Sequence, residues 1–389
     1  MSEWKEYRFS DFVNINPSVK IPKKQLVSFV EMKDLTDGQR FCKPSQERFL
    51  SGGSRFENGD TLFARITPCL ENGKICQVKG LKNGIGFGST EFHVFRGKSI
   101  ISDSDFVYYL CRWSDVRDHA EKNFDGTSGR QRVPKQAFDD LYLNLPELSE
   151  QKSIASILSS LDDKIDLLHR QNATLEKMAE TLFRQWFVEE AKEEWEEVEL
   201  EKLIDVVIDN RGKTPPTVDF PTDYPLIEVN ALNSNSCLVD YSVIRKYVNK
   251  ETYDNWFRKH LKVNDIIIST VGTIGVFSIH LVDKGCIAQN LVGLRSNSIS
   301  SYFIYNFFKT NVETLINLDI GGVQPSIKVP HLLGLIIKYP PYELLRKYDE
   351  SVEIYFNKIA KNQTQIRTFT ALRDTLLPKL MSGEVRVEN

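Results

Sequence analysis

The sequence predicts an α+β protein built twice over. Two similar domains of short strands and one helix alternate with two long helices that pair with each other. Three observations predict this. Residues 147–189 contain no Gly or Pro, and their apolar residues recur at spacings of four and three. The same seam returns near the C-terminus, shifted by 194 residues. The chain before each seam consists of short apolar runs broken by Gly, Asn and Pro.

Residues 1–146 form the first domain. Strands are expected at 26–30, 61–66, 74–78, 90–95 and 141–145. A helix is expected at 105–120, where Phe106, Tyr109, Leu110, Trp113, Val116 and Ala120 make one amphipathic face. Gly84-Ile85-Gly86-Phe87-Gly88 superficially resembles a nucleotide loop, but it leads toward a strand, so it reads as a turn.

Pro146 closes the last strand, and Ser149 is placed to cap a helix over 149–186 with Glu150 and Gln151 in its first turn. The seam of this first helical region, residues 147–190, is Ile154, Leu158, Leu161, Ile165, Leu168, Asn172, Leu175, Ala179, Leu182 and Trp186. A stripe so long and narrow suits a partner helix better than a globular core. At 1.5 Å per residue it is a rod of roughly 55 Å. The acidic run at 189–201 that follows reads as a solvated face.

Residues 191–340 repeat the first domain, with strands at 226–229, 266–270 and 335–338 and a helix at 301–318. The second helical region, 341–389, carries Tyr348, Val352, Tyr355, Ile359, Asn362, Ile366, Phe369 and Leu376. The shift that aligns the seams also carries Pro146 onto Pro340, Lys164 onto Lys358 and Gln171 onto Gln365. With small drifts, Gly59-Asp60-Thr61-Leu62-Phe63 matches Asn264-Asp265-Ile266-Ile267-Ile268, and Val133-Pro134 matches Val329-Pro330. The chain is a two-copy tandem repeat.

The 389 residues, 41% hydrophobic and 26% charged, suit two or three globular domains. No apolar run reaches membrane-spanning length, and the start lacks a signal-peptide core. The six cysteines are scattered, which reads as reduced cytosolic thiols and neither a disulfide framework nor a zinc site. The net charge is −3, but residues 147–201 alone carry 6 basic and 15 acidic side chains. The two non-helical regions are therefore mildly basic, which permits a nucleic-acid partner.

Catalytic motifs are missing: there is no Walker A sequence, H-E-x-x-H, G-x-S-x-G or amino-methyltransferase tetrapeptide. What remains are polar, basic, glycine-containing loops at equivalent points of the halves. In the first domain they hold Arg65, Thr67, Asn72 and Lys74, then Ser128, Arg130, Gln131 and Arg132. In the second they hold Arg211, Lys213 and Thr214, then Thr270 and Thr273, Gln289 and Asn290, and Gln324, Ser326 and Lys328. These residue types suit base edges and phosphates, and glycine lets the backbone approach. By composition alone they are surface turns. Their duplication on a spacer is what a bipartite duplex site requires.

The chain resembles the specificity (S) subunits of type I restriction–modification systems along its whole length. The resemblance is carried by Leu145-Pro146-Glu147-Leu148-Ser149-Glu150-Gln151-Lys152-Ser153-Ile154-Ala155, then Leu158, Leu161-Asp162 and Lys164-Ile165. Leu377-Pro378-Lys379-Leu380-Met381-Ser382-Gly383-Glu384-Val385 is the matching C-terminal signature. Leu62-Phe63-Ala64-Arg65-Ile66-Thr67-Pro68 and Arg211-Gly212-Lys213-Thr214-Pro215-Pro216 are similar to strings of the family's target-recognition domains. The second helical region departs from the first, with Arg346 and Tyr348-Asp349 in place of the motif.

The resemblance implies two target-recognition domains separated by two long helices forming an antiparallel coiled coil. It implies a non-catalytic DNA-specificity subunit that reads one half-site per domain. Its partners would be double-stranded DNA, methyltransferase (M) subunits, two of them, and restriction (R) subunits. S-adenosylmethionine, ATP and Mg would then reside on those partners, and this chain would hold no cofactor or metal. The competing readings are a DNA-modifying enzyme with an unrecognised site and a coiled-coil scaffold with no DNA role. An antiparallel pairing sets Ile154 against Leu380, Leu158 against Leu376, Leu168 against Ile366 and Asn172 against Asn362.

Overall fold

The structure, a computed structural model of the chain, describes residues 3–22, 24–126, 129–210, 212–232 and 236–387. By contact density the chain falls into two compact units, residues 1–167 with 365–389 and residues 168–364. Each unit contains one non-helical region and a stretch of both long helices. Among the described residues, no helix is long and apolar enough to cross a membrane.

In the first unit, strands β1 (Val13–Ile15), β2 (Phe41–Cys42), β3 (Thr61–Ala64), β4 (Ile75–Val78) and β5 (Phe92–Gly97) form one sheet in the order β1-β5-β3-β4-β2. Leu26–Val30, Gln46–Phe49, Ser54–Glu57 and Ile85–Gly88 form a second sheet. The last of these replaces the expected turn. Ile85–Gly88 pairs in parallel with Leu26–Val30 and antiparallel with Ser54–Glu57. A Cβ on Gly88 would stand 2.5 Å from the Val30 carbonyl oxygen, so the glycine that made this run look like a turn is what lets the strands approach.

The expected helix at 105–120 is two helices, α1 (Ser104–Arg112) and α2 (Ser114–Lys122). Asp103 caps α1 by accepting from the Asp105 and Phe106 amides at 3.0 Å each. Trp113 breaks the run by taking an extended backbone, and its buried indole joins the core that holds Tyr109, Leu110 and Val116. The periodicity reads through this break because both segments bury their apolar faces in that one core.

The first long helix, α3, spans Leu148–Arg184 and ends in a π turn at Gln185–Glu189. It begins one residue before Ser149. That hydroxyl therefore lies inside the first turn, where it donates to the Glu147 carboxylate at 3.0 Å.

In the second unit, β6 (Val206–Asp209), β7 (Ile266–Ser269), β8 (Phe277–Ile279) and β9 (Leu291–Arg295) form a sheet in the order β6-β9-β7-β8. This is the order β1-β5-β3-β4 of the first domain. The expected helix at 301–318 is again divided, into α4 (Ser301–Thr310) and α5 (Val312–Asn317), with Asn311 between them. The second long helix, α6, spans Tyr342–Met381.

One ion pair is duplicated with the fold. Asp60 receives Arg96 at 2.6 and 2.7 Å, and Asp265 receives Arg295 at 2.7 and 2.7 Å. Each aspartate precedes the central strand of its sheet and also accepts a backbone amide three residues earlier, Glu57 or Lys262, at 2.7 Å. Both carboxylates are buried, and a bidentate guanidinium satisfies them in place of water.

The long helices run antiparallel within each unit. In the first, Ile154, Ala155 and Leu158 share a core with Leu377, Leu380 and Met381. In the second, Ala179 and Phe183 share one with Tyr348, Val352, Phe356 and Ile359. Asn362 donates to the Asn172 side-chain oxygen at 2.8 Å, and both amides are buried. The buried stripe is wider than the expected seam. Leu161, Leu175, Leu182, Trp186, Tyr355, Phe369 and Leu376 are only partly buried, while Gln151, Asp162, Glu176, Phe183, Phe187 and Arg373 beside the seam are buried. The helices cover a globular domain as well as each other, so their apolar face turns toward both.

Asn362→Ala leaves the Asn172 amide buried and unpaired, which is expected to cost about 1–3 kcal/mol. Replacing both asparagines by leucine should restore or exceed the wild-type stability, with loss of the single register. Denaturant unfolding of the wild type and the two variants measures this; an equal loss in the single and double variants would contradict the pairing.

Candidate nucleic-acid interface

In the first domain, β3 runs out at Arg65 into the loop 65–74, and the chain returns beside it at 125–133. Asp125 and Arg132 exchange both backbone hydrogen bonds, at 3.0 and 2.8 Å. The Thr67 amide donates to the Gln131 carbonyl at 3.0 Å, and the Gln131 amide to the Thr67 hydroxyl at 3.2 Å. The Val133 amide donates to the Arg65 carbonyl at 2.8 Å. The two candidate loops are thus one platform. Beneath it the buried His93 ring meets the Val133 carbonyl through Nε2 at 2.8 Å.

The platform commits several of the side chains expected to meet DNA. Arg132 chelates Glu91, with Nη2 and Nε at 2.8 and 2.9 Å from its oxygens. Lys74 donates to the Met32 carbonyl at 2.9 Å. Thr67 is buried, and the Arg65 Nε is buried with no hydrogen-bond partner among the described residues. Arg130 and Asn72 are exposed, and Gln131 is half-buried. Ser128 lies outside the described residues.

The second domain builds the same platform from other side chains. β7 runs out at Thr270, whose amide donates to the Asn290 carbonyl at 2.9 Å, as the Arg65 amide donates to Glu91 at 3.0 Å. The Ile327 amide donates to the Thr270 carbonyl at 2.8 Å, and the Gly272 amide to Pro325 at 2.9 Å. Asp319 stiffens the returning loop by accepting the Gly321 and Ser326 amides at 2.8 Å each. These bonds hold its carboxyl below the usual range. Gly272, at φ +87°, leaves room for the Gln324 amide, which would stand 3.2 Å from a Cβ there.

Four candidates converge on a cleft of about 520 Å³ beside this platform: Thr214, Gln289, Asn290 and Gln324. The Thr214 hydroxyl donates to the Gln289 side-chain oxygen at 2.9 Å. Sequence reasoning missed the other polar members of the wall, Thr217 and the ion pair Lys246–Glu228 at 2.9 Å. None of these sits in a glycine loop, so no local pattern marks them. Lys213 lines a separate hollow of about 390 Å³ with Asn210, Trp256 and Arg258. Thr273 and Lys328 are exposed, Ser326 is half-buried, and Arg211 lies outside the described residues. The set offers amides, hydroxyls and a few free cations, which is equipment for base edges and phosphates.

The family model for the type I restriction modification DNA specificity domain matches residues 1–177 and again 192–367. The MjaIX type I restriction enzyme specificity subunit of Methanocaldococcus jannaschii is 26% identical over 309 residues, covering 73% of this chain and 70% of that protein. The HindI specificity subunit of Haemophilus influenzae is 23% identical over 471 residues, covering 99% and 100%. The solved type I restriction–modification S subunit from M. genitalium has the same fold at 15% identity, with a TM-score of 0.53 over 97% of this chain and 96% of that one.

Burial pushes His93 down to about 4, and His280, the residue after β8 in the second unit, likewise to about 4. An unfolded histidine titrates near 6.5, so the unfolded chain takes up protons first as the pH falls. The stability held by each neutral ring is full above about 6.5 and is lost between about 6.5 and 4. Between pH 7 and 5 the loss is about 2 kcal/mol per histidine. His93→Gln should therefore destabilise less at pH 5 than at pH 7 by about that amount. Denaturation at both pH values checks it; a difference that does not change with pH would contradict it.

Proposed function

This chain belongs to the type I restriction modification DNA specificity family, and from that membership we propose that it selects an asymmetric bipartite sequence in duplex DNA, one half per non-helical domain. Specificity subunits are the non-catalytic, DNA-recognising part of type I restriction–modification systems. The observation that carries the finer reading is the duplicated platform. Its backbone bonding recurs in both domains, while the side chains it presents differ: Arg130, Gln131 and Asn72 in one, Thr214, Gln289, Asn290 and Gln324 in the other. Equal scaffolds with unequal side chains suit two half-sites of unequal sequence.

The long helices serve as the spacer between readers and as the docking face for methyltransferase subunits, which in turn bring restriction subunits. Met178 and Ile354 leave apolar surface exposed on the helices, at 43% and 70%. Such surface fits a protein partner. S-adenosylmethionine, ATP and Mg act on those partner subunits. With few free cations among the described residues of its platforms, the isolated chain binds duplex weakly, because phosphate neutralisation supplies most non-specific affinity. Sequencing the methylome of cells with and without this chain gives the target; an unchanged methylome would refute the reading.

Arg130→Ala should relax one half-site only, whereas Lys213→Ala or Lys328→Ala should act on the other. A lost base contact removes roughly 1–3 kcal/mol of discrimination, and a lost phosphate contact weakens all sequences alike. Arg132→Ala and Lys74→Ala should act through the stability of the platform. Competition between matched and single-mismatch duplexes separates these cases, and unaltered choice and affinity in every variant would refute the loop assignment.

Inserting one heptad at matching points of both helices keeps the seam and lengthens the spacer by roughly 10 Å. That is about three base pairs, which also turn the second half-site by about 100° around the duplex. Affinity should fall, and any surviving target should keep both half-sites with a longer gap. Methylome sequencing of the insertion variant decides; a retained gap at full activity would sink the spacer role.

A further inference from the structure

The polar side chains buried beside the seam tie each globular domain to the helices by directional bonds. In the first unit, Asp162 on α3 accepts the Tyr109 hydroxyl of α1 at 2.6 Å and Arg373 of α6 at 2.7 Å. Arg373 goes on to the Gly38 carbonyl at 2.8 Å. Gln151, fully buried one helical stretch earlier, accepts the Asp103 amide and donates to the Ile101 carbonyl, both at 2.9 Å. Asp103 is the residue that caps α1. One helix of the domain is thus held at its start and at its middle.

The second unit does this with different residues. Glu176 on α3 accepts the Cys237 amide at 3.0 Å, Lys309 at 3.1 Å and the Tyr305 hydroxyl at 3.3 Å. Tyr305 and Lys309 lie on α4, the counterpart of α1. Burial and the neighbouring carboxylates push both phenols up, so Tyr109 and Tyr305 remain donors.

An apolar contact of the same size would hold the domains as firmly, since buried ion pairs add little net stability over well-packed hydrophobic groups. It would not hold them in one orientation. Asp162 with its two donors and Glu176 with its three each have one geometry in which all are satisfied, and sliding or tilting leaves a donor unpaired in a medium that cannot replace it.

We propose that Asp162 and Glu176 are positioning residues that fix each recognition domain on the helices and so set how strictly the protein discriminates the length of the gap between half-sites. The proposal rests on the bipartite reading above. One base pair moves a half-site by about 3.4 Å and turns it by about 34°. A domain held only by apolar contact can tilt toward the neighbouring register; one held by these carboxylates cannot.

The test uses the assembled complex of this chain with its methyltransferase subunits and duplexes carrying both half-sites at the native gap and at one base pair more or less. Asp162→Asn and Glu176→Gln should each lower the ratio of native-gap to shifted-gap methylation by about tenfold, the equivalent of one charge-assisted hydrogen bond, with half-site preferences unchanged. If Asp162→Asn does not fold, Tyr109→Phe, which removes a single hydroxyl, decides by the same ratio. An unchanged ratio alongside a lowered melting temperature overturns the proposal, because the carboxylates would then be structural only. Altered half-site preference at a constant ratio overturns it too. A wild-type complex that shows no gap preference overturns the bipartite reading itself, whereas gap-strict wild type and gap-strict variants overturn only the positioning role.

Discussion

A helix of 37 residues with an apolar stripe along its length does not persist alone in water, and everything else in this protein follows from how α3 is covered. The cover comes from α6, of 40 residues and opposite direction, and from the globular domain in each unit. The stripe is accordingly wider than a coiled-coil seam. Phe183 and Phe187 turn toward Phe303 at ring distances of 5.1 and 5.0 Å, while Trp186 and Phe187 meet Tyr348 of α6 at 6.2 and 5.0 Å. The domain, α3 and α6 therefore share one core here, and the side chains that cover α6 cannot be changed without consequence to the domain.

Duplication followed by divergence explains the rest of the architecture. What stays constant between the domains is what the backbone needs: strand order, the buried Asp–Arg pair before the central strand, and the hydrogen bonds that join the two loops of a platform. What differs is what a ligand would feel. Glu91 is the counterpart of Asn290 in the repeat, and the first domain neutralises its carboxylate with Arg132, whereas the second presents an amide. The polar anchors on the helices diverged in the same manner, an aspartate with an arginine in one unit and a glutamate with a lysine in the other.

The modest charge of the domains has a physical counterpart in this arrangement. Many of their cations are already spent on internal pairing, Arg96 on Asp60, Arg295 on Asp265, Arg132 on Glu91 and Arg40 on Asp105 at 2.7 Å. Counting lysines and arginines overstates the charge available to a phosphate backbone. On the reading proposed above, selectivity would rest on amides and hydroxyls held in fixed geometry together with exposed cations such as Arg130 and Lys213, which places the demand on the scaffold.

The sequence by itself determined the repeat, the two long helices, fewer than half of the strands and the Asn172–Asn362 register, because each rests on local periodicity or on the spacing of like residues. It located the loops, but not which of their side chains are free. Lys74, Arg65 and Arg132 look alike with Arg130 and Lys213 in one dimension, and only the fold brings Met32 and Glu91 to the first and third of them. The break at Trp113 and the strand Ile85–Gly88 were hidden for a related reason: a shared core preserves periodicity across a kink, and a glycine required by a neighbouring carbonyl looks like a glycine required by a turn. Gln151 and Asp162 stand in the motif that carries the family resemblance and Glu176 in none, but nothing in the sequence marked any of them as buried, since a polar residue next to a seam is solvated by default. Their burial was decided by tertiary structure alone, where a domain distant in sequence brings the donors that make a buried polar group tolerable out of water.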